Sequence, residues 1–186
     1  MLRNLVSRRN LIFISVGLLV LAAMTIVLAP KGARADEGMP IKGTFPVAFS
    51  VRPNTGGDTF CGGSSDPSGV TVEAHGAGHS SLGDFSFSLN KTIVGPALHG
   101  CLRLTAPNGD TLTAIYDGTA GTPNPNHFRD FIGTLTFTGG TGRFEGASGS
   151  ADFTAVATPI SGTSNPMQGI AFYLVNGTVS LQHGDQ

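Results

Sequence analysis

Phe137-Thr138-Gly139-Gly140-Thr141-Gly142-Arg143-Phe144-Glu145-Gly146-Ala147-Ser148-Gly149 carries the most information about fold in this chain. It joins a strand-like run before it to another after it by a tight glycine turn. Gly139, Gly140 and Gly142 permit backbone angles closed to other residues. Phe144 is placed to plug the base of a barrel. Gly146 and Gly149 allow bulges or sharp coiling. Upstream of the turn, Phe131, Gly133, Leu135 and Phe137 alternate with Ile132, Thr134, Thr136 and Thr138. Phe85, Phe87 and Leu89 alternate in the same way with Ser86, Ser88 and Asn90. Such period-two patterns put apolar side chains on one face of a strand and more polar ones on the other.

Working outward, no segment after Asp36 sustains a helical period. Eight strands are predicted, at about 41–52, 69–76, 83–94, 99–106, 110–117, 128–138, 143–157 and 168–182. The links between them are unequal. Pro107-Asn108-Gly109-Asp110 reads as a two-residue Asn-Gly hairpin of type I′. Gly139 to Gly142 is equally tight, and Gly76 to Leu82 is short. The stretches 53–68, 118–127 and 158–167 are long and rich in Gly, Pro, Ser, Thr and Asn. In an up-and-down meander the links after strands 1, 3, 5 and 7 share one end. The expectation is an all-β, eight-stranded antiparallel up-and-down barrel with a tight-turn base and a loop-built mouth. Asn176-Gly177, if it is a second hairpin turn, would change the strand count.

The stretch from Thr138 to Gly149 resembles the allene oxide cyclase and dirigent-like barrels, whose members carry a similar Gly-Gly-x-Gly-x-Phe turn and a spaced glycine. The Gly76-Ala77-Gly78-His79-Ser80-Ser81-Leu82-Gly83 segment looks like one common in exported bacterial barrels. The resemblance implies an eight-stranded barrel, often oligomeric in the plant relatives. It carries no catalytic assignment, because the matched positions are turn and strand residues.

Residues 1–35 read as a signal peptide, an N-terminal signal helix preceding the barrel. Arg3, Arg8 and Arg9 precede an uncharged run from Leu11 to Ala29, and Ala33-Arg34-Ala35 offers a peptidase site ahead of Asp36. Ser7-Arg8-Arg9-Asn10-Leu11-Ile12 fits a twin-arginine signal as well as an ordinary one, and the former would imply a bacterial source. The run is also long enough to act as an uncleaved anchor, which needs about 17–25 residues. Export to a periplasmic or extracellular location is expected, with N-terminal anchoring as the alternative. The remainder, 36–186, suits a single barrel domain. It holds six basic and twelve acidic residues, a formal charge of 6 − 12 = −6. That sign disfavours nucleic acid and peripheral membrane binding.

Cys61 and Cys101 are the two cysteines. Export permits a disulfide, and both map to the mouth end. Two free thiols, or a nucleophilic Cys101 beside His99, are the alternatives. His99, Asp117, His127 and Arg129 also map to the mouth and are the candidate ligand-binding residues; solvated loop residues are the plainer reading. Glu73, His75 and His79 invite a metal reading, but Gly76 and Gly78 break the helical spacing that would align the two imidazoles. No metal and no cofactor are expected, and no catalytic residue is identifiable. No nucleophile elbow, phosphate loop or dinucleotide fingerprint is present. The first reading of function is a non-enzymatic module that is structural or holds a small apolar molecule. The alternative, by analogy with the resembled family, is an isomerase or cyclase on a lipid-like substrate. An outer-membrane barrel is disfavoured by the polar strand faces.

Overall fold

Alternating side chains need two different environments, and a closed barrel supplies them as core and solvent. The computed structural model describes residues 38–56, 60–160 and 166–181. The predicted signal helix, its cleavage site and Asp36 lie outside the described residues. The strands are β1 (Met39–Pro53), β2 (Val70–Ser80), β3 (Gly83–Val94), β4 (Ala97–Thr105), β5 (Thr111–Ala120), β6 (Arg129–Gly140), β7 (Ser148–Pro159) and β8 (Met167–Ser180). Each pairs antiparallel with its successor and β8 pairs with β1, so the sheet closes in the predicted up-and-down order. Asn176 and Gly177 pair with β1 and β7 in mid-strand, which keeps the count at eight. Among the described residues no helix is long and apolar enough to cross a membrane.

Alternation decides which face is inside. On β6, Phe131, Leu135 and Phe137 are buried, while Thr134, Thr136 and Thr138 are exposed. The outward faces of other strands carry Glu73, Arg103 and Asp152, so no continuous apolar belt surrounds the barrel. An apolar stretch on the outside spans β6–β8, where Ile132, Val156, Phe172 and Leu174 are exposed.

Three local expectations change. The Gly139–Gly149 link is not a two-strand hairpin: residues 143–147 were expected to begin strand seven, and β7 begins at Ser148 instead. A 3₁₀ turn, Gly142–Phe144, intervenes. Its carbonyls at Thr141, Gly142 and Phe144 accept from the amides of Phe144, Glu145 and Ala147. That extra turn swings Phe144 under the barrel, where it is 1% exposed and packs on Phe85 with ring centroids 5.7 Å apart. The expected base plug is therefore present. One bulge accompanies it: Thr113 and Ala114 face Gly139 and Phe137, leaving Thr138 as an extra residue.

The second change concerns Gly76 and Gly78. The sequence predicts that the second strand ends at about Gly76 and that Gly78 belongs to the link, yet β2 runs on to Ser80. A Cβ on Gly78 would lie 2.1 Å from the Thr44 carbonyl oxygen, so glycine here permits close strand approach. The third is the turn at 106–110. Gly109 donates to Ala106 and Ala106 to Asp110, and Gly109 takes φ of 90° while Asn108 stays at negative φ. Pro107 sits at the first corner and fixes φ near −65°, which excludes the positive φ of a type I′ turn there. A three-residue loop results.

Gly118 and Gly133 face each other across β5 and β6. A Cβ on Gly133 would fall 2.0 Å from the Asp117 carbonyl oxygen and 2.8 Å from the Phe153 ring. Gly133→Ala should lower stability by about 1–3 kcal/mol, as overpacking does. A shifted urea midpoint at unchanged m-value would register it. A variant as stable as the parent would contradict this close-approach account.

Candidate functional site

The strand ends from which the links after β1, β3, β5 and β7 depart share one end of the barrel, as the parity of the strands requires. Strand β3 shows what lies beneath them. Its inward residues from base to mouth are Phe85, Phe87, Leu89, Lys91 and Ile93. The aromatic residues fill the lower barrel: Phe45 packs on Phe87 at 5.5 Å, Phe87 on Tyr173 at 5.2 Å and Tyr116 on Phe153 at 4.1 Å. Above that layer a cavity of about 340 Å³ remains, at the lower end of the range for small-molecule sites. Its walls are chiefly Phe49, Val72, Ile93, Phe131, Ala157 and Ala171. The interior is thus plugged below and hollow at the mouth.

Lys91 closes the inner side of this cavity. It is 2% exposed, and its Nζ donates to Tyr116 Oη at 3.4 Å and Tyr173 Oη at 3.3 Å. The same nitrogen sits 4.2 Å from the Phe131 ring centroid, a cation–π distance. Among the described residues no ion pair involves Lys91. Burial, and secondarily the charge of Arg129, push its ammonium down to about 7. Burial also raises both phenols, that of Tyr173 to about 12. Sequence reading missed Lys91. The available signal was its phase: it continues the Phe85, Phe87, Leu89 alternation onto the apolar face.

The four predicted mouth residues separate into two places. His127 and Arg129 line the cavity. Arg129 is held by Nε donation to the Gly121 carbonyl at 2.8 Å. His127 adopts φ of 64°, in a loop where Asn124 Oδ1 accepts from the amides of Asn126 and Phe128. Among the described residues no Asp or Glu lines the cavity.

His99 and Asp117 do not line it. They pair in register on the outward phase of β4 and β5, and their side chains hydrogen-bond to each other. His99 Nε2 also bonds the Cys61 carbonyl at 2.7 Å. The Cys61 carbonyl, then Asp117, hold the imidazole above its usual pKa. Cys61 and Cys101 form a disulfide with Cα atoms 5.7 Å apart. Together the bridge and His99 fasten the 60–64 segment against the outer wall, where the Ser64 amide also donates to Thr92 Oγ1 at 3.0 Å. This answers the open cysteine question: neither thiol is free, and Cys101 has no nucleophilic sulfur. His79 pairs with Asp84 at 2.7 Å on the surface, while His75 is exposed on β2.

Fold and cavity define a class: a closed antiparallel barrel with an apolar chamber open at its loop end. No protein-family model matches the chain, and no curated protein matches it. Among solved structures it is similar to a pterocarpan synthase dirigent protein, at 16% identity and a TM-score of 0.43, over 81% of this chain and 89% of that one. A likeness that distant carries no argument about activity.

Proposed function

We propose that the mouth cavity binds a small, mostly apolar molecule in an oxidising compartment outside the cytoplasm. The observation that carries the reading is the hollow of about 340 Å³ left above a fully packed aromatic layer. Close-packed interiors rarely leave such space without use. The disulfide supports the compartment. N-phenylnaphthylamine, a neutral fluorophore of suitable size, should bind saturably at one site per chain. Ala171→Phe fills the chamber from β8 and should weaken that binding at least about tenfold, the scale of losing one to two buried contacts. No binding, or binding indifferent to Ala171→Phe in a folded variant, would overturn the reading.

An isomerase or cyclase stands second. Such an enzyme needs converging polar groups in an apolar chamber, and Lys91 and Tyr173 meet that minimum. Self-association, expected from the resemblance, has its candidate face in Phe172 and Leu174. Sedimentation of a Phe172→Glu, Leu174→Glu variant against the parent tests it.

A further inference from the structure

Lys91 is costly to keep where it is. Among the described residues no carboxylate partners its amine, and two phenol hydroxyls only partly replace the hydration lost on burial. We propose that the Lys91 amine is a nucleophile that captures an apolar aldehyde in the mouth cavity as a covalent imine. The proposal rests on the cavity being the ligand site and adds the chemistry of its ligand.

Three features favour a carbonyl. The amine lines the inner side of the chamber, so a ligand entering from the mouth meets it. Its lone pair is available near neutral pH, because desolvation and a neighbouring cation both disfavour the ammonium, a recognised way of activating lysine. Among the described residues the ionisable groups facing it are Tyr116 of β5, Tyr173 of β8 and Arg129 of β6, with His127 at the rim; none of these is a carboxylate.

The step balances without a further reactant. The Nζ lone pair attacks the carbonyl carbon, and the C=O π pair moves to oxygen. A proton passes from nitrogen to that oxygen and gives a carbinolamine. The hydroxyl then leaves as water, with Tyr173 Oη, 3.3 Å from Nζ, placed to donate the proton it needs and to recover one from the iminium nitrogen. Apolar walls limit the water that would reverse the reaction.

The barrel suits a direct test, because residues 36–186 contain only Lys42 and Lys91 as lysines. The protein is incubated with octanal and sodium cyanoborohydride, then analysed by intact mass and peptide mapping. One adduct is expected, at Lys91, formed at least about tenfold faster than at Lys42. An ordinary lysine is less than about 0.1% neutral at pH 7, which leaves margin for the slower access of a buried group. Labelling of Lys42 or the chain terminus at the same rate or faster overturns the proposal. Octanol displacement of N-phenylnaphthylamine is measured alongside. Lys91→Met should lose the adduct at position 91 while labelling of Lys42 continues at the parent's rate. If octanol displaces the probe but octanal leaves no adduct at Lys91, only the imine fails; if neither binds, the cavity reading fails first. Tyr173→Phe should slow adduct formation several-fold at saturating octanal, and an unchanged rate there would remove Tyr173 from the proton transfer.

Discussion

Lys91→Met is expected to stabilise the barrel, by about 5 kcal/mol at pH 6. The figure follows from the ammonium being pushed from 10.5 to about 7 by burial, at 1.36 kcal/mol for each pKa unit. It is an upper value, since methionine must also fit the space and gives up the hydrogen bonds from Nζ to Tyr116 and Tyr173. The sign follows from linkage. The folded pKa lies below the unfolded one, so between about pH 7 and 10.5 the unfolded chain binds more protons. Stability of the parent therefore rises with pH across that window, and the advantage of Lys91→Met shrinks to about 2 kcal/mol by pH 9. Above pH 10 the raised phenols act oppositely: unfolded tyrosines ionise first, and stability falls. His99 also runs the other way. Its raised pKa adds stability at low pH that is lost as pH climbs through the folded value, but both proteins share it and the difference cancels. Urea unfolding of both proteins at pH 6 and pH 9 provides the check. A parent equal to or more stable than the variant at pH 6 would mean that Lys91 is not a desolvated amine. Residues that cost stability and remain are commonly held for function.

Loss of the Cys61–Cys101 bridge is expected to destabilise the barrel by about 4 kcal/mol. The bridge spans a sequence separation of 40, and closing a loop of that length removes chain entropy from the unfolded state on this scale. A Cys61→Ser, Cys101→Ser variant should unfold at lower urea. The loss should also loosen the 60–64 segment, because the Cys61 carbonyl that partners His99 Nε2 would no longer be held on the wall. The pKa of His99, followed by NMR, should then fall toward its ordinary value. A melting transition unchanged by reductant would contradict the bridge.

Much of the fold was readable from residue order. Phe85, Phe87 and Leu89 gave the inward phase of β3, and Phe131, Leu135 and Phe137 that of β6. Unequal links placed the mouth at the correct end. Less was readable at the glycines. Gly76 and Gly78 look like turn residues by composition, yet they are strand residues that let β1 approach closely. The seven-residue link before β7 needed its 3₁₀ hydrogen bonds to be recognised.

The candidate site divides along the same line. Parity assigned His99, Asp117, His127 and Arg129 to the mouth end, since end is a property of strand order. Side is a property of phase: His99 falls between inward Leu98 and Leu102 with Gly100, and so faces out with Asp117. Local sequence thus determined the strands, the up-and-down order and the loop-bearing end, because alternation and turn length act over a few residues. Closure of the sheet decided the rest. It brought Lys91, Tyr116, Phe131 and Tyr173 from four strands, up to 82 residues apart, around one nitrogen. Such a meeting depends on barrel radius and register, which no single segment encodes.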